Sequence, residues 1–283
     1  MLIAAAVCPH PPLLVPEVAG EAAPELDALR VACHEAVGRL THDRAGRVAD
    51  LLVVVGGDET TRVYEGDAAG SLRPYGLDLT IGPGDPVLPL SLTIGRWLLG
   101  RAADAARPRV RFQGVATGAA PAECLRLGRE LADAAGRVAL LAMGDGSACR
   151  AEKATEAALD ERAEPYDAAV ARALRDADAD ALAGLDPELA SELQVAGRAA
   201  WQALAGAAGG TLGAIATSRT AATRGVSATT RGVGESRGTG GTSGPGGSGA
   251  TPALDGAGDF TGALLADAAP YGVGYFVASW VRG

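Results

Sequence analysis

Leu2-Ile-Ala-Ala-Ala-Val-Cys-Pro-His-Pro-Pro-Leu-Leu-Val-Pro16 sets the reading of the whole chain. An apolar run with strand character ends at His10, held between Pro9 and Pro11. Proline fixes φ, lacks an N–H and pushes the residue before it toward extended geometry, so strand pairing stops there and an imidazole is left at the strand's end. Ligands of open α/β sheets bind at such ends. Imidazole is also the commonest metal ligand and the side chain that titrates nearest neutrality. A Pro-rich turn with a half-exposed histidine would read the same way, so His10 takes its meaning from what the rest of the chain places beside it.

Working outward, helical and strand-like segments alternate. Residues 24–40 carry Leu26, Leu29, Cys33, Val37 and Leu40 at helical spacing. Asp50-Leu-Leu-Val-Val-Val-Gly-Gly57 is a continuous apolar run ending in a glycine pair, as expected of a buried parallel strand meeting a ligand-side loop. A helix is expected over 89–103, a strand over 110–116, and a helix over 121–135 with Pro121 at its start, where a missing N–H costs little. Arg137-Val-Ala-Leu-Leu-Ala-Met143 is the next buried strand and runs into Gly144-Asp-Gly-Ser147. Helical segments fill 166–207, 259–265 reads as a helix or a strand, and 271–280 as a final strand. Such alternation predicts an α/β fold over 1–283: a single-domain three-layer sandwich whose central sheet, mostly parallel or mixed, is flanked by helices. From about Thr217 to Thr251 the chain is Gly, Ser, Thr and Ala with Arg219, Arg224, Arg231 and Arg237 against Glu235 alone. This stretch reads as a disordered insertion, because it lacks the apolar residues whose burial would offset ordering entropy.

Composition excludes several classes. Hydrophobic residues make up 48% of the 283, enough for a sizeable core, but aromatics only 4%, so that core must be built from Ala, Val and Leu. A formal charge of −9 argues against a nucleic-acid or anionic-membrane binder, either of which needs a basic face. No apolar stretch reaches the length of a membrane span, and Met1 leads into the first strand without a basic leader, so the expected placement is cytoplasmic. Cys8, Cys33, Cys124 and Cys149 lack CxxC spacing, which weighs against a disulfide framework or structural zinc.

Four polar or Gly-rich segments end strands or sit beside them: the loop of His10, Gly56-Gly-Asp-Glu-Thr-Thr61, Gly144-Asp-Gly-Ser-Ala148, and the segment from Ala266 to Tyr275. Gathered at one sheet edge, they would bring His10, Asp58, Glu59, Asp145 and Asp267 together. A histidine plus carboxylates with open positions suits Fe(II), Mn(II) or another divalent metal. Each loop taken alone also has a structural reading: Gly56-Gly57 as a tight turn, Asp145 as a helix cap. His34 and His42 fall in or just after the first helix and read as surface residues.

Three of these stretches carry a resemblance: Cys8-Pro-His-Pro-Pro-Leu-Leu-Val-Pro-Glu-Val18, Met143-Gly-Asp-Gly-Ser-Ala148 and Ala269-Pro-Tyr-Gly-Val-Gly-Tyr-Phe-Val277. Together they resemble the catalytic chains of the class III extradiol ring-cleavage dioxygenase superfamily, in its actinobacterial branch, over nearly the whole chain apart from the insertion. The same superfamily holds the Memo-like proteins. The resemblance implies an α/β sandwich with the metal at the strand ends. It also implies Fe(II) held by two histidines and a carboxylate, with a further histidine moving protons while O2 and a small aromatic substrate occupy the open positions.

Residue by residue, His10 matches the first histidine. Gly56-Gly57-Asp58 stands where the second would be, so Asp58 takes that place, and Asp267 is the nearest counterpart of the carboxylate. The acid/base position falls on Ala148, which cannot transfer a proton, a loss that usually costs roughly 10²–10⁴-fold. The implied metal set is therefore His10, Asp58 and Asp267 around Fe(II), with an incomplete acid/base apparatus. The alternative is a non-catalytic, Memo-like protein that binds a small ligand or a protein partner. A third reading makes Asp145 and Ser147 catalytic, with His10, in a hydrolytic or transfer reaction; it ranks last for want of a Gly-x-Ser-x-Gly elbow. A homo-oligomer is compatible with each.

Overall fold

Runs such as Leu51–Val55 and Val138–Met143 alternate nothing polar with their apolar residues, so as strands they need cover on both faces. The fold supplies it. A computed structural model describes residues 1–40, 46, 48–101, 108–150, 159–212 and 260–283. The insertion read at 217–251 lies outside the described residues, as does His42.

In chain order the elements are β1 (Leu2–Cys8), α1 (Pro16–Ala19), α2 (Asp27–Gly38), β2 (Leu51–Asp58), β3 (Arg62–Tyr64), β4 (Ala69–Ser71), β5 (Thr80–Ile81) and β6 (Pro86–Leu88). There follow α3 (Leu90–Arg101), β7 (Arg109–Ala116), α4 (Pro121–Ala132), β8 (Val138–Met143), α5 (Ala163–Asp176), α6 (Ala179–Ala183), α7 (Pro187–Glu192), α8 (Arg198–Ala207), β9 (Phe260–Ala268) and β10 (Tyr275–Arg282).

Seven strands form one mixed sheet in the order β3-β7-β2-β8-β1-β10-β9. Its centre is parallel: β2 pairs with β7 and β8, and β8 with β1. The flanks are antiparallel, β3 on β7 at one side and β10 and β9 beyond β1 at the other. A separate three-stranded sheet, β5-β4-β6, precedes α3.

Side chains of the central strands divide by the two-residue period. Val53, Val55, Leu140 and Ala142 join a core with α4, α5 and α8. Leu52, Val54, Ala139, Leu141 and Met143 join a second core with α2 and α3. This is the sandwich expected from the alternation of segments, built largely from Ala, Val and Leu around a few large anchors such as Trp201, Trp280, Phe112 and Phe276. All four cysteines are buried and free. Among the described residues no helix is long and apolar enough to cross a membrane.

Element boundaries differ from expectation in physically readable ways. The first long helix begins at Asp27 rather than at residue 24, because Gly20–Leu26 forms a 3-10 segment. Arg30 pins that segment by donating to the carbonyls of Ala23 and Leu14 at 2.5 and 2.9 Å. Of the ambiguous stretch at 259–265, the described part from residue 260 is strand β9, because β10 offers it an antiparallel partner over Phe260–Ala268. Strands β3 to β6 have two or three residues each, too short to show a period.

Helices α4 and α8 approach until their backbones touch. A Cβ at Gly128 would lie 2.0 Å from the Ala203 carbonyl oxygen, and one at Gly206 would lie 2.2 Å from that of Leu125. Neither obstacle can rotate away. Gly128→Ala should therefore force the helices apart and lower unfolding stability by about 1–3 kcal/mol in a urea titration, although alanine is the better helix former.

Candidate functional site

Strands β7, β2, β8 and β1 run parallel, so their C-terminal ends share one edge of the sheet. At such an edge the loops leave unpaired groups facing one another. His10 follows the end of β1, Asp145 follows β8, and Asp58 is the last residue of β2. The His10 backbone N–H donates to Asp145 Oδ1 at 2.7 Å. The His10 ring turns Nδ1 inward, 3.5 Å from the same oxygen and without a hydrogen bond. Burial pushes the Asp145 carboxyl up, against the pull of the His10 imidazole and N–H. Asp145 therefore braces the His10 loop, and among the described residues its side chain caps no helix.

Asp58 is held differently. Strand β2 continues straight through Gly56 and Gly57, which pair with Gly114 and Val115 of β7, and neither glycine has a positive φ. The pair is thus not a tight turn. Gly56 is small because α3 starts above it: a Cβ there would lie 2.6 Å from Ser91 Oγ, whose hydroxyl donates to the Gly57 carbonyl at 2.7 Å. Asp58 Oδ1 accepts the Glu59 N–H at 2.7 Å, and Oδ2 accepts the Tyr64 hydroxyl at 2.6 Å and Arg62 Nε at 3.1 Å. Burial pushes this carboxyl up, but those hydrogen bonds and the guanidinium outweigh it and hold it below the usual carboxylate range. Desolvation and the Asp58 carboxylate push the Tyr64 phenol up to about 12. Arg62 also stacks on the Tyr64 ring, its guanidinium carbon 4.8 Å from the centroid. Each oxygen of Asp58 thus already has a donor.

A cleft of about 510 Å³ opens over this edge. His10, Asp58, Glu59, Arg62, Ser91 and Thr117 supply its polar lining, and the segment 86–90, Pro-Val-Leu-Pro-Leu, supplies an apolar wall. Buried Arg198 fixes the Thr117 side, donating to the carbonyls of Thr117 and Ala119 at 2.5 and 2.9 Å and to Gln202 Oε1 at 2.8 Å. Gln202 in turn donates to the carbonyls of Ala183 and Leu185. The signal for this clamp was present as an Arg and a Gln four apart, Arg198 and Gln202, inside an otherwise apolar helical run. Arg62 and Tyr64 carried no such signal.

Asp267 does not reach the cleft. It sits near the end of β9, four strand positions from β2 in the sheet order, which is a lateral distance of about 19 Å at about 4.8 Å per strand. There it faces Arg150 at 3.6 Å and lines a second cavity with Cys149, Asp160 and Glu164. Ser147 is fully buried, donating its hydroxyl to the Leu193 carbonyl at 3.1 Å and accepting the Cys149 N–H at 3.0 Å; it lines neither cavity. His34 is exposed on α2, beside Trp97.

The three residues that the resemblance assigns to Fe(II) are therefore dispersed. His10 and Asp58 share the cleft, and Asp267 lies elsewhere. Among the described residues no group of three or more His, Cys, Asp and Glu side chains gathers as a metal ion would require. Among the described residues the side chains do not fit a two-histidine, one-carboxylate centre. No protein-family model matches the chain, and no curated protein matches it.

One carboxylate that the sequence did not single out is strongly perturbed. Asp167, on α5, is 1% exposed; its Oδ1 accepts the Ser147 N–H at 2.9 Å, while among the described residues Oδ2 makes no hydrogen bond and has Arg150 at 3.7 Å. Desolvation pushes its carboxyl up to about 6, against the Ser147 N–H and Arg150. A carboxyl raised on folding adds stability that is complete below its unfolded value near 3.8 and is lost as pH rises through about 6. Asp167→Asn keeps an acceptor for Ser147 and removes the ionisation. Between pH 4 and pH 7.5 the stability of the Asn variant relative to the parent should rise by about 2–3 kcal/mol in paired denaturant titrations.

Proposed function

We propose that this chain is a member of the class III extradiol dioxygenase superfamily that has lost iron-dependent ring opening. It keeps the cleft at the ends of β1 and β2 as a binding site for a small organic ligand. The observation that carries this reading is the dispersal of the implied ligands across the sheet. A facial iron site needs three side chains within reach of one atom. Here Asp145 accepts the His10 backbone N–H, the oxygens of Asp58 have donors from Glu59, Tyr64 and Arg62, and Asp267 faces Arg150. Freeing Asp58 for a metal would strand the buried Tyr64 hydroxyl, and a buried donor left without its acceptor costs about 1–3 kcal/mol.

What remains suits binding. The cleft has one apolar wall, along 86–90, and polar groups of both signs from Arg62 and Glu59. Most small-molecule sites have that composition, an apolar surface with a few placed polar groups. The ligand is of modest size, since the cleft offers about 510 Å³.

Reconstitution without oxygen, with Fe(II), Mn(II) or Zn(II) in turn, followed by elemental analysis, tests the reading. The expected result is metal well below one equivalent, unchanged in His10→Ala and Asp58→Ala, and no O2 uptake with catechols. Near-stoichiometric metal that disappears in either variant would overturn it and restore a working dioxygenase centre.

A further inference from the structure

Two arginines are buried among the described residues, and they differ in what they hold. Arg30 has the Asp27 carboxylate beside it. Arg198, 3% exposed, forms no ion pair among the described residues. Its three acceptors, the carbonyls of Thr117 and Ala119 and Gln202 Oε1, are all neutral. A guanidinium has five N–H groups, so these bonds leave the Nε–H and one Nη2 hydrogen unused. Buried charges are ordinarily paired, since taking a lone ion out of water is costly. The position deepens the imbalance. Arg198 opens α8, a helix of 10 residues whose N-cap Gly197 offers no side-chain acceptor, and the positive end of a helix disfavours a cation. The acids on or beside the adjoining helices α4 and α7 do not neutralise it. Glu123 accepts the Ala120 N–H, Asp186 caps α7, Glu192 pairs with Arg162, and Glu188 is exposed.

The Arg198 guanidinium is not sealed in. Arg198 lines a cavity of about 320 Å³ with Thr117, Gly118, Pro187, Ser191 and Gln194. Among the described residues it is the one charged group in that lining, in a chain whose formal charge is −9. Thr117, Ser191 and Gln194 add neutral donors, and none of their side chains makes a hydrogen bond among the described residues. Gln194 is held at φ 55°. A turn alone would be served better by glycine, which takes that conformation without strain. Strained non-glycine residues gather at ligand clamps. We propose that this cavity binds a small oxyanion, a carboxylate or phosphate group, with Arg198 as its counter-charge and the side chains of Thr117, Ser191 and Gln194 as neutral donors. Hydrogen bonds from a guanidinium to an anion are among the strong ones, and its planar fork matches the paired oxygens of either group. The cavity meets the cleft only along Thr117 and Ala196, and the inference does not rest on the ligand-binding reading.

The test is titration calorimetry of the full chain with inorganic phosphate and with acetate, at fixed pH and ionic strength. The wild type should bind at least one of the two saturably, and the tighter of them separates a phosphate site from a carboxylate site. Arg198→Gln should abolish the binding. Gln194→Glu, at an exposed position and without change of shape, adds a carboxylate to the cavity wall and should weaken binding roughly tenfold. Circular dichroism checks that both variants fold; should Arg198→Gln fail to, Gln194→Glu still decides. No saturable binding of either anion by the wild type would overturn the proposal, as would binding that Gln194→Glu leaves unchanged. Neither Arg198 nor Gln194 lines the cleft, so such a result would leave the ligand-binding reading standing.

Discussion

Parallel pairing of β1, β8 and β2 is the constraint from which the rest of the molecule follows. Parallel strands cannot be joined by tight turns, so each connection must leave the sheet and return across a face. The crossovers supply α2 and α3 on one side and α4, α5 and α8 on the other, and the strands between them are buried on both faces. The same pairing puts the exits of β1, β8 and β2 on one edge. That is why a backbone N–H at His10 can reach Asp145 across 135 residues of sequence. It is also why the cleft lies there.

Whether such an edge becomes a metal centre or a binding cleft depends on what its polar groups already hold. A carboxylate that coordinates a cation must be free to give its lone pairs to it. Asp58 gives them to a phenol, a guanidinium and a backbone N–H, all from Glu59 and the strand β3 that follow it. This local cage depresses its proton affinity much as a cation would, but with the chain itself as the partner. Asp145 is the opposite case: its desolvation dominates, and its neighbours only partly compensate. The two carboxylates end adjacent strands of one sheet and are tuned in opposite directions by what surrounds them, as environment rather than residue type dictates.

Much of the fold was legible because its signals are local. Leu2–Cys8, Leu51–Val55 and Val138–Met143 each read as strands from an unbroken apolar run, and all three are the parallel centre. Helices α3 and α4 fall inside their expected spans; α4 is a few residues shorter at its C-terminal end, and residues 102–103 of the span expected for α3 lie outside the described residues. The short strands β3 to β6 were illegible, since two or three residues cannot display a period and are strands only by virtue of a neighbour. In the site, the placing of His10, Asp58 and Glu59 on one cleft agrees with reading their segments as strand ends. The tight turn expected at Gly56-Gly57 gave way to continuing strand, for the glycines answer to the approach of Ser91 and not to a reversal of the chain. Ser147 looked chemically available in Gly-Asp-Gly-Ser, yet it is consumed by the backbone of Leu193 and Cys149. Asp167 drew no attention as one acid on an amphipathic helix, because its isolation comes from Gly146, Gly274 and Arg150, none of them near it in sequence.

By itself the amino-acid sequence determined the class of the fold, the buried parallel strands, the Ala, Val and Leu core and the loops from which a site could be made. These follow from hydrophobic periodicity, proline and glycine, whose effects reach only a few residues along the chain. Tertiary structure alone decided which of those loops meet. Sheet order set His10 and Asp145 on neighbouring strands and carried Asp267 four strands from Asp58. Among the described strands it also left β9 with one side unpaired. Strand order, unlike strand formation, is chosen by the packing of the whole core, and no local pattern encodes it.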